Sequence, residues 1–503
     1  MERRLTKTLY RLADGCPMGL WLTIHRPDLK APLSLAARDR MKTGQEVGAL
    51  ARKRFEGAKF VRHWEMTAEA ATGLTLDLVR SDSGVILEAT FATEGLLART
   101  DILSRTGAGW KITEVKSSGE YKKDEHLTDV AFQTWVAQRC GLKVESASVM
   151  HLRKDYKWRG GEHDVQELFS EVDITEEVEA ELPRVEASVP GFLGLWDRPD
   201  YPTELDPGIR PACRDCGFGE HCMALAPEDH IFYLNLHHSR VKKLKQQGIT
   251  LVEEIPPDFV TDPKERLRYE ARLTKEPQVD PSLVSELARI VYPALLIDFE
   301  TMRPALPIIP GTSPFTLLPF QWSCHRLARS PRGSAVLDIE SGHSEFLYEG
   351  QDDPRPEFCR TLYEAIKEGG SILVYSNYEE STLKQLAAEN IPYAAELLAL
   401  VPERFVDLEK IVRQCYADHR FEGRTSIKAV LPVVAPDFRY EDLDIHDGDQ
   451  AQIEYRQTFD PACPPEERRR VYDALKAYCK LDTWAMVLVL KALYERAMSG
   501  PQA

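Results

Sequence analysis

The chain has 503 residues, 43% of them hydrophobic and 29% charged, and a formal net charge of −16. At roughly 100 to 200 residues per domain, that length requires two or three hydrophobic cores and excludes a single small binding module, and the composition excludes long disorder. The acidic balance excludes a histone-like coat on nucleic acid, but residues 1–62 carry 14 Lys and Arg against 6 Asp and Glu, so any phosphate-binding face is expected to begin there. No run reaches 18 apolar residues and MERRLTKTLYRLADG lacks a signal-peptide core, so a cytoplasmic protein with no membrane partner is expected. Ten cysteines are too few for a disulfide scaffold. A phosphate-cradling GxxxxGK loop is missing, so any helicase or ATPase motor is expected to be a separate partner.

After a helical start, LLARTDILSRTGAGWKITEVKSS is expected to form two strands about a turn containing Gly107 and Gly109. If the loop is 106–109, Arg105 pairs with Trp110, and Asp101 lies opposite Glu114 with Cβ atoms about 5 Å apart. Lys116 then shares the face of Glu114, because side chains alternate along a strand. Two opposed carboxylates repel unless a hard divalent cation, Mg²⁺ or Mn²⁺, sits between them. Such a cation activates water and stabilises charge on a phosphoryl oxygen, which is the chemistry of phosphodiester hydrolysis.

The TD and EVK segments at Asp101, Glu114 and Lys116 resemble the core of the PD-(D/E)XK nuclease superfamily. The next helix, LTDVAFQTWVAQRCGL, resembles the RecB-like branch, whose QxxxY motif implies a site role for Gln133, although Ala137 stands where Tyr would be. The resemblance also implies a metal-binding His from an early helix. TGQEVGALARKRF has Gly48 there, with Glu46 the nearest substitute.

Cys213, Cys216 and Cys222 form C-x2-C-x5-C, with Cys16 far upstream before Pro17. Three near thiolates and one remote one suit a four-thiolate site that staples two ends of a domain, holding zinc or an iron-sulfur cluster. This layout, on both sides of the nuclease core, resembles that of the CRISPR adaptation exonucleases and AddB-type nucleases. The resemblance implies a structural 4Fe-4S cluster, with zinc as the alternative.

Residues 231–290 are expected to be a helical connector. LHHSRVKKLKQQGITLVEEIPPDF reads as helix, Gly248 turn and helix, with Arg240, Lys242, Lys243 and Lys245 on a basic face, and resembles a helix-hairpin-helix phosphate-binding element.

Downstream, ALLIDFET is an apolar strand ending in Asp298 and Glu300 on one face, where α/β sheets expose their sites. Tyr478 and Asp482, four apart in YCKLD, project from one side of a helix. Asp298, Glu300, Tyr478 and Asp482 resemble the DEDDy exonucleases of RNase H-like fold, in which metals bridge the carboxylates and the tyrosine orients the attacking water. The middle acid of that family is Asp; here VYSNYEEST offers Glu379 or Glu380, with Tyr378 mimicking the preceding aromatic. Asp407 is a further acid at a strand-like end, and Lys428 is expected as a phosphate contact.

The expected fold is α/β and multidomain: a restriction-endonuclease-like domain over 1–230, the connector over 231–290 and an RNase H-like domain over 291–503. The expected function is a metal-dependent nuclease acting on DNA, with RNA as the other substrate this chemistry admits. The metal ligands expected are Asp101, Glu114, Asp298, Glu300 and Asp482. The rival is a non-catalytic nucleic-acid scaffold or adaptor in which one or both centres have decayed.

Overall fold

The computed structural model describes residues 3–81, 83–203, 208–329, 337–338, 342–439 and 443–499. It is a mixed α/β protein of two compact units, Met1–Leu225 with Pro304–Thr316, and Ala226–Arg303 with Leu317–Ala503.

The first unit is built on a sheet whose strands run in the order Lys59–Phe60, Val85–Thr93, Leu96–Arg105, Trp110–Lys116, Val144–Leu152 and Phe169–Asp173, with Leu5–Thr6 also pairing with the third. The turn residues decide the central hairpin: Thr106 donates its N–H to the Gly109 carbonyl at 2.9 Å, and the ladder runs from Arg105↔Trp110 to Ile102↔Thr113. From Trp110–Lys116 the chain crosses over through the helix Lys123–Arg139 and returns parallel as Val144–Leu152. Alternation sorts the apolar side chains onto two faces. Ile86, Leu103, Ile112 and Val149 join a core with Leu9, Tyr10, Val130 and Val185, from the helices Lys7–Gly15, Lys123–Arg139 and Thr175–Gly194. Their neighbours Leu87, Ile102 and Met150 join a second core, with Val47 and Ala51 of the helix Leu35–Arg52. Asp101, Glu114 and Lys116 share strand parity with Leu103 and Ile112, so they face the first set of helices.

The second unit holds a sheet in which Ala294–Met302 is central. It is antiparallel to Leu318–Arg329 and parallel to Ile372–Val374, which is parallel in turn to Phe405–Asp407. Leu295, Ile297 and Phe299 point into a core with Phe358, Leu362 and Leu383. Leu296 points the other way, into a core with Met486, Val487 and Leu490 of the 35-residue helix Pro465–Ser499. Asp298 and Glu300 share the parity of Leu296, which turns them toward the helix carrying Tyr478 and Asp482.

The stretch 231–290, expected as a separate connector, lies within the second unit. Ile231, Leu234, Leu244, Val252 and Tyr269 bury a core there. The expected helix-turn-helix is also corrected. The helix His238–Gln246 does stop just before Gly248, which has φ +76°, but the next element is a single 3-10 turn, Val252–Glu254, and the following helix begins only at Pro263. The Glu254 carboxylate accepts the Thr250 and Leu251 N–H groups, each at 3.0 Å, and Pro256 and Pro257 end the turn. Arg240 is bound to Glu265 and lies over the Phe259 ring, so it is an internal tie on that expected basic face. Among the described residues, no helix is long and apolar enough to cross a membrane.

Candidate active sites

The N-terminal centre gathers side chains from four elements. Glu114 is 2% exposed. Its Oε1 accepts from Lys7 Nζ at 2.5 Å and from Lys116 Nζ at 2.9 Å, and its Oε2 accepts from Gln133 Nε2 at 2.7 Å. Asp101 Oδ2 accepts the Val115 backbone N–H at 2.7 Å, which ties it to the strand of Glu114. Lys116 Nζ also donates to the buried Asp129 at 2.5 Å, and Arg11 stands 3.6 Å from the same carboxylate. Helical spacing explains the assembly: Lys7 and Arg11 are four apart on one helix, and Asp129 and Gln133 are four apart on another. The structure thus brings together Asp101, Glu114, Lys116 and Gln133, and adds Lys7, Arg11 and Asp129.

Glu88 is a further acid near this centre. It falls in the gap of the ladder between Leu87↔Ile102 and Ala89↔Thr100, beside Asp101, with φ +55°. Arg52 pairs with it at 2.9 Å. Glu46, the expected substitute for the missing histidine, instead lies on an exposed helix face 3.9 Å from Lys42.

Burial and the charge of Glu114 push Asp101 up to about 7, while Lys7 opposes the shift. Burial would also raise Glu114, but the Lys7 and Lys116 ammoniums outweigh it and hold that carboxyl well below the usual range. The oxygens of Asp101 and Glu114 are donors for a hard cation. The buried Gln133 Oε1, which has no hydrogen-bond partner, is a third.

The four candidate cluster cysteines are half-buried and not joined in disulfides. Cys16, Cys216 and Cys222 all pack against Met18, Trp21, Leu22 and Phe218. Cys213 is tied in through its carbonyl, which accepts the Cys216 N–H at 3.3 Å. A Cβ on Gly219 would lie 1.8 Å from that carbonyl oxygen, so the loop closes only with glycine. The donor set, four thiols, suits a soft metal or cluster. The four sulfurs do not form a group of three within 4.8 Å of one another.

The C-terminal centre opens on a cavity of about 540 Å³ lined by Asp298, Glu300, Glu379, Lys428, Tyr478 and Asp482. Ligand atoms of Asp298, Glu300 and Cys479 lie within 4.8 Å of one another. Asp298 and Glu300 sit across from Ser323 and Gln321 on the neighbouring strand. Glu379, in the first turn of the helix Tyr378–Ala388, is buried, and its Oε2 has no hydrogen-bond partner. Glu380 pairs with Lys384 at 2.5 Å instead. Asp407 caps its helix by accepting the Lys410 N–H at 2.9 Å.

Here no acid is held down as Glu114 is in the first centre. Burial, then the charges of Asp482, Glu379 and Glu300, raise Asp298 well above the carboxylate range, and burial with Asp482 does the same to Glu300 against the pull of Lys428. Burial pushes Glu379 up to about 8. Acids that raise one another on the wall of one cavity, one with an orphaned oxygen, fit a hard divalent cation. Cys479, which the sequence did not suggest, is 3.9 Å from Asp298 Oδ2; burial and the same acids raise its thiol, so it stays protonated and is a poor ligand beside the carboxylates.

Residues 295–426 match the model of a domain of unknown function, DUF2779. That span includes Asp298, Glu300, Glu379 and Asp407 and stops short of Tyr478 and Asp482. The chain is similar to the uncharacterized protein MG366 of Mycoplasma genitalium, with 27% identity over 206 residues, 38% of this chain and 31% of that protein, so it spans about a third of that relative's length. A solved structure titled "Crystal structure of SSO0001" aligns with 15% identity over 45% of this chain and 89% of its own, at a TM-score of 0.19, too low to bear on the fold.

Proposed function

We propose that the chain is a divalent-metal-dependent nuclease that hydrolyses phosphodiester bonds of DNA, single-stranded or from free ends, in repair, recombination or defence. In this reading the first unit is a RecB-like PD-(D/E)XK domain and the second an RNase H-like exonuclease domain of the DEDDy kind. The observation that carries it is the mutually repelling set of half-buried Asp298 with buried Glu300 and Glu379 in a cavity that also holds Asp482, Tyr478 and Lys428. A fold has little reason to gather uncompensated acids unless a cation compensates them.

A bound Mg²⁺ or Mn²⁺ would lower the pKa of water and stabilise charge on phosphoryl oxygens. Asp298, Glu300 and Asp482 would hold it in the second unit. The Tyr478 hydroxyl would orient the attacking water, and Lys428 and Arg303, both on the cavity wall, would neutralise substrate phosphate. In the first unit Asp101 and Glu114 would hold the cation, with Gln133 fixing the Glu114 carboxylate. Asp129 aims the Lys116 ammonium at the same point. Cys16, Cys213, Cys216 and Cys222 would hold a 4Fe-4S cluster, or zinc, as a structural staple between the two ends of that unit.

A second reading, a nucleic-acid-binding scaffold, is favoured for the first unit by one observation: both oxygens of Glu114 are already engaged by protein groups. The test is incubation of the full chain with end-labelled single- and double-stranded DNA and RNA, with Mg²⁺, Mn²⁺ or EDTA. Metal-dependent, EDTA-sensitive shortening supports the nuclease; binding without cleavage on every substrate supports the scaffold.

A further inference from the structure

The two centres differ in how their central acids are compensated. In the second unit the acids raise one another. In the first, each acid has a nearby cation: Arg52 for Glu88, Lys7 and Lys116 for Glu114, Lys116 and Arg11 for Asp129, with the field of Lys7 also acting on Asp101. Glu114 and Asp129 are paired with cations without metal, whereas burial and the charge of Glu114 still hold Asp101 up.

We propose that the Lys7 ammonium occupies the place in the N-terminal centre where a divalent cation would bind, so that Lys7 and the cation compete for Glu114. The inference rests on the metal-binding reading of that centre. A cation bridging Asp101 and Glu114 needs a Glu114 oxygen, and Lys7 holds Oε1 at 2.5 Å. Of the two ammoniums on that oxygen, Lys116 is anchored a second time by the buried Asp129, at 2.5 Å. The hydrogen bond of Lys7 runs to Glu114, and its side chain is the more exposed of the two, 27% against 17%. A lysine stem of four flexible carbons at the first residue of its helix can carry the charge out of the centre. The buried Gln133 Oε1 is then a ready additional oxygen donor, since it lacks a partner while Lys7 is in place. Lys7 therefore lets the centre fold without metal, and it sets the concentration at which metal enters.

The test is Mn²⁺ binding to the full chain, followed by electron paramagnetic resonance of the free ion, in the wild type, Lys7→Met, Lys7→Arg and Lys7→Met with Glu114→Gln. Removing a unit positive charge beside a divalent ion should tighten one class of Mn²⁺ site by about tenfold or more in Lys7→Met. That class should vanish when Glu114→Gln is added, and Lys7→Arg, which keeps the charge, should bind as the wild type does. Lys7→Gln gives the same reading if methionine packs badly. A Glu114-dependent site whose affinity ignores Lys7→Met and Lys7→Gln overturns the competition but leaves the metal centre standing. No Glu114-dependent Mn²⁺ site in any chain overturns both.

Discussion

Glu300→Gln should stabilise the metal-free second unit and remove its response to metal. Asp298, Glu300 and Cys479 place ligand atoms within 4.8 Å of one another, and Glu300 is 7% exposed. Two carboxylate charges at that separation repel by about 3 kcal/mol at an effective dielectric of 20. Proton uptake relieves part of this, so the gain from the amide is on the order of 3 kcal/mol or less at that separation. A cation relieves the same repulsion in the wild type. At about a hundredfold excess over its dissociation constant it adds about 2.7 kcal/mol to the wild type. For a unit of this size that is a rise of roughly 5 to 10 °C in Tm. The assay is thermal unfolding by circular dichroism with EDTA and with MnCl2, following the transition of the second unit. Wild type should rise on adding Mn²⁺. Glu300→Gln should start higher in EDTA and rise little. If the amide melts lower than wild type in EDTA, or if both proteins respond equally to Mn²⁺, the acids are held by something other than a cation and the reasoning fails.

Three further outcomes follow from the same geometry. Burial, with His343 and Lys480, lowers His325 to about 4 from its ordinary 6.5, so its neutral form belongs to the fold and its contribution is intact above about 6.5 and lost as pH falls toward 4. The loss is about 3 kcal/mol across that window, and denaturant titrations from pH 4 to 7 should show a shallower slope in His325→Asn. Gly219→Ala would drive a methyl into the Cys213 carbonyl, so metal analysis should find the iron or zinc content of the first unit sharply reduced; unchanged content would detach the cysteine loop from metal. Asp129→Asn should leave Lys116 with one anionic partner instead of two, lowering the cleavage rate assigned to the first unit by about tenfold to a hundredfold while substrate binding persists; unaltered turnover would make Asp129 a packing residue.

Much of the hairpin centre could be read from the chain because its determinants are local. A loop of known length fixes strand register, register fixes which side chains face one another, and alternation carries Lys116 to the same face. Asp298 and Glu300 were legible for the same reason. Lys7 and Asp129 were not: a lysine in the first helix and an aspartate in the fifth become partners of Glu114 and Lys116 only through tertiary packing. The i, i+4 pairs Lys7/Arg11 and Asp129/Gln133 were the available signal, and charged pairs at that spacing are common on exposed helices. Glu88 did leave a trace, a lone acid inside the apolar strand VILEATFA, but its left-handed backbone is a property of the ladder gap. The turn after Gly248 was misread because its carboxylate cap and proline pair permit one 3-10 turn where helical spacing suggests a helix. The fate of Arg240 depended on Glu265 and Phe259, which only the folded chain brings to it.

The most direct test of the central claim is a cleavage assay on 3′-tailed and blunt end-labelled DNA with Mn²⁺, comparing wild type, Glu114→Ala, Asp298→Ala and the double variant. The account predicts metal-dependent hydrolysis by wild type, loss of a distinct part of it in each single variant and none in the double variant. Hydrolysis by the double variant at the wild-type rate, or by wild type in EDTA, would contradict it.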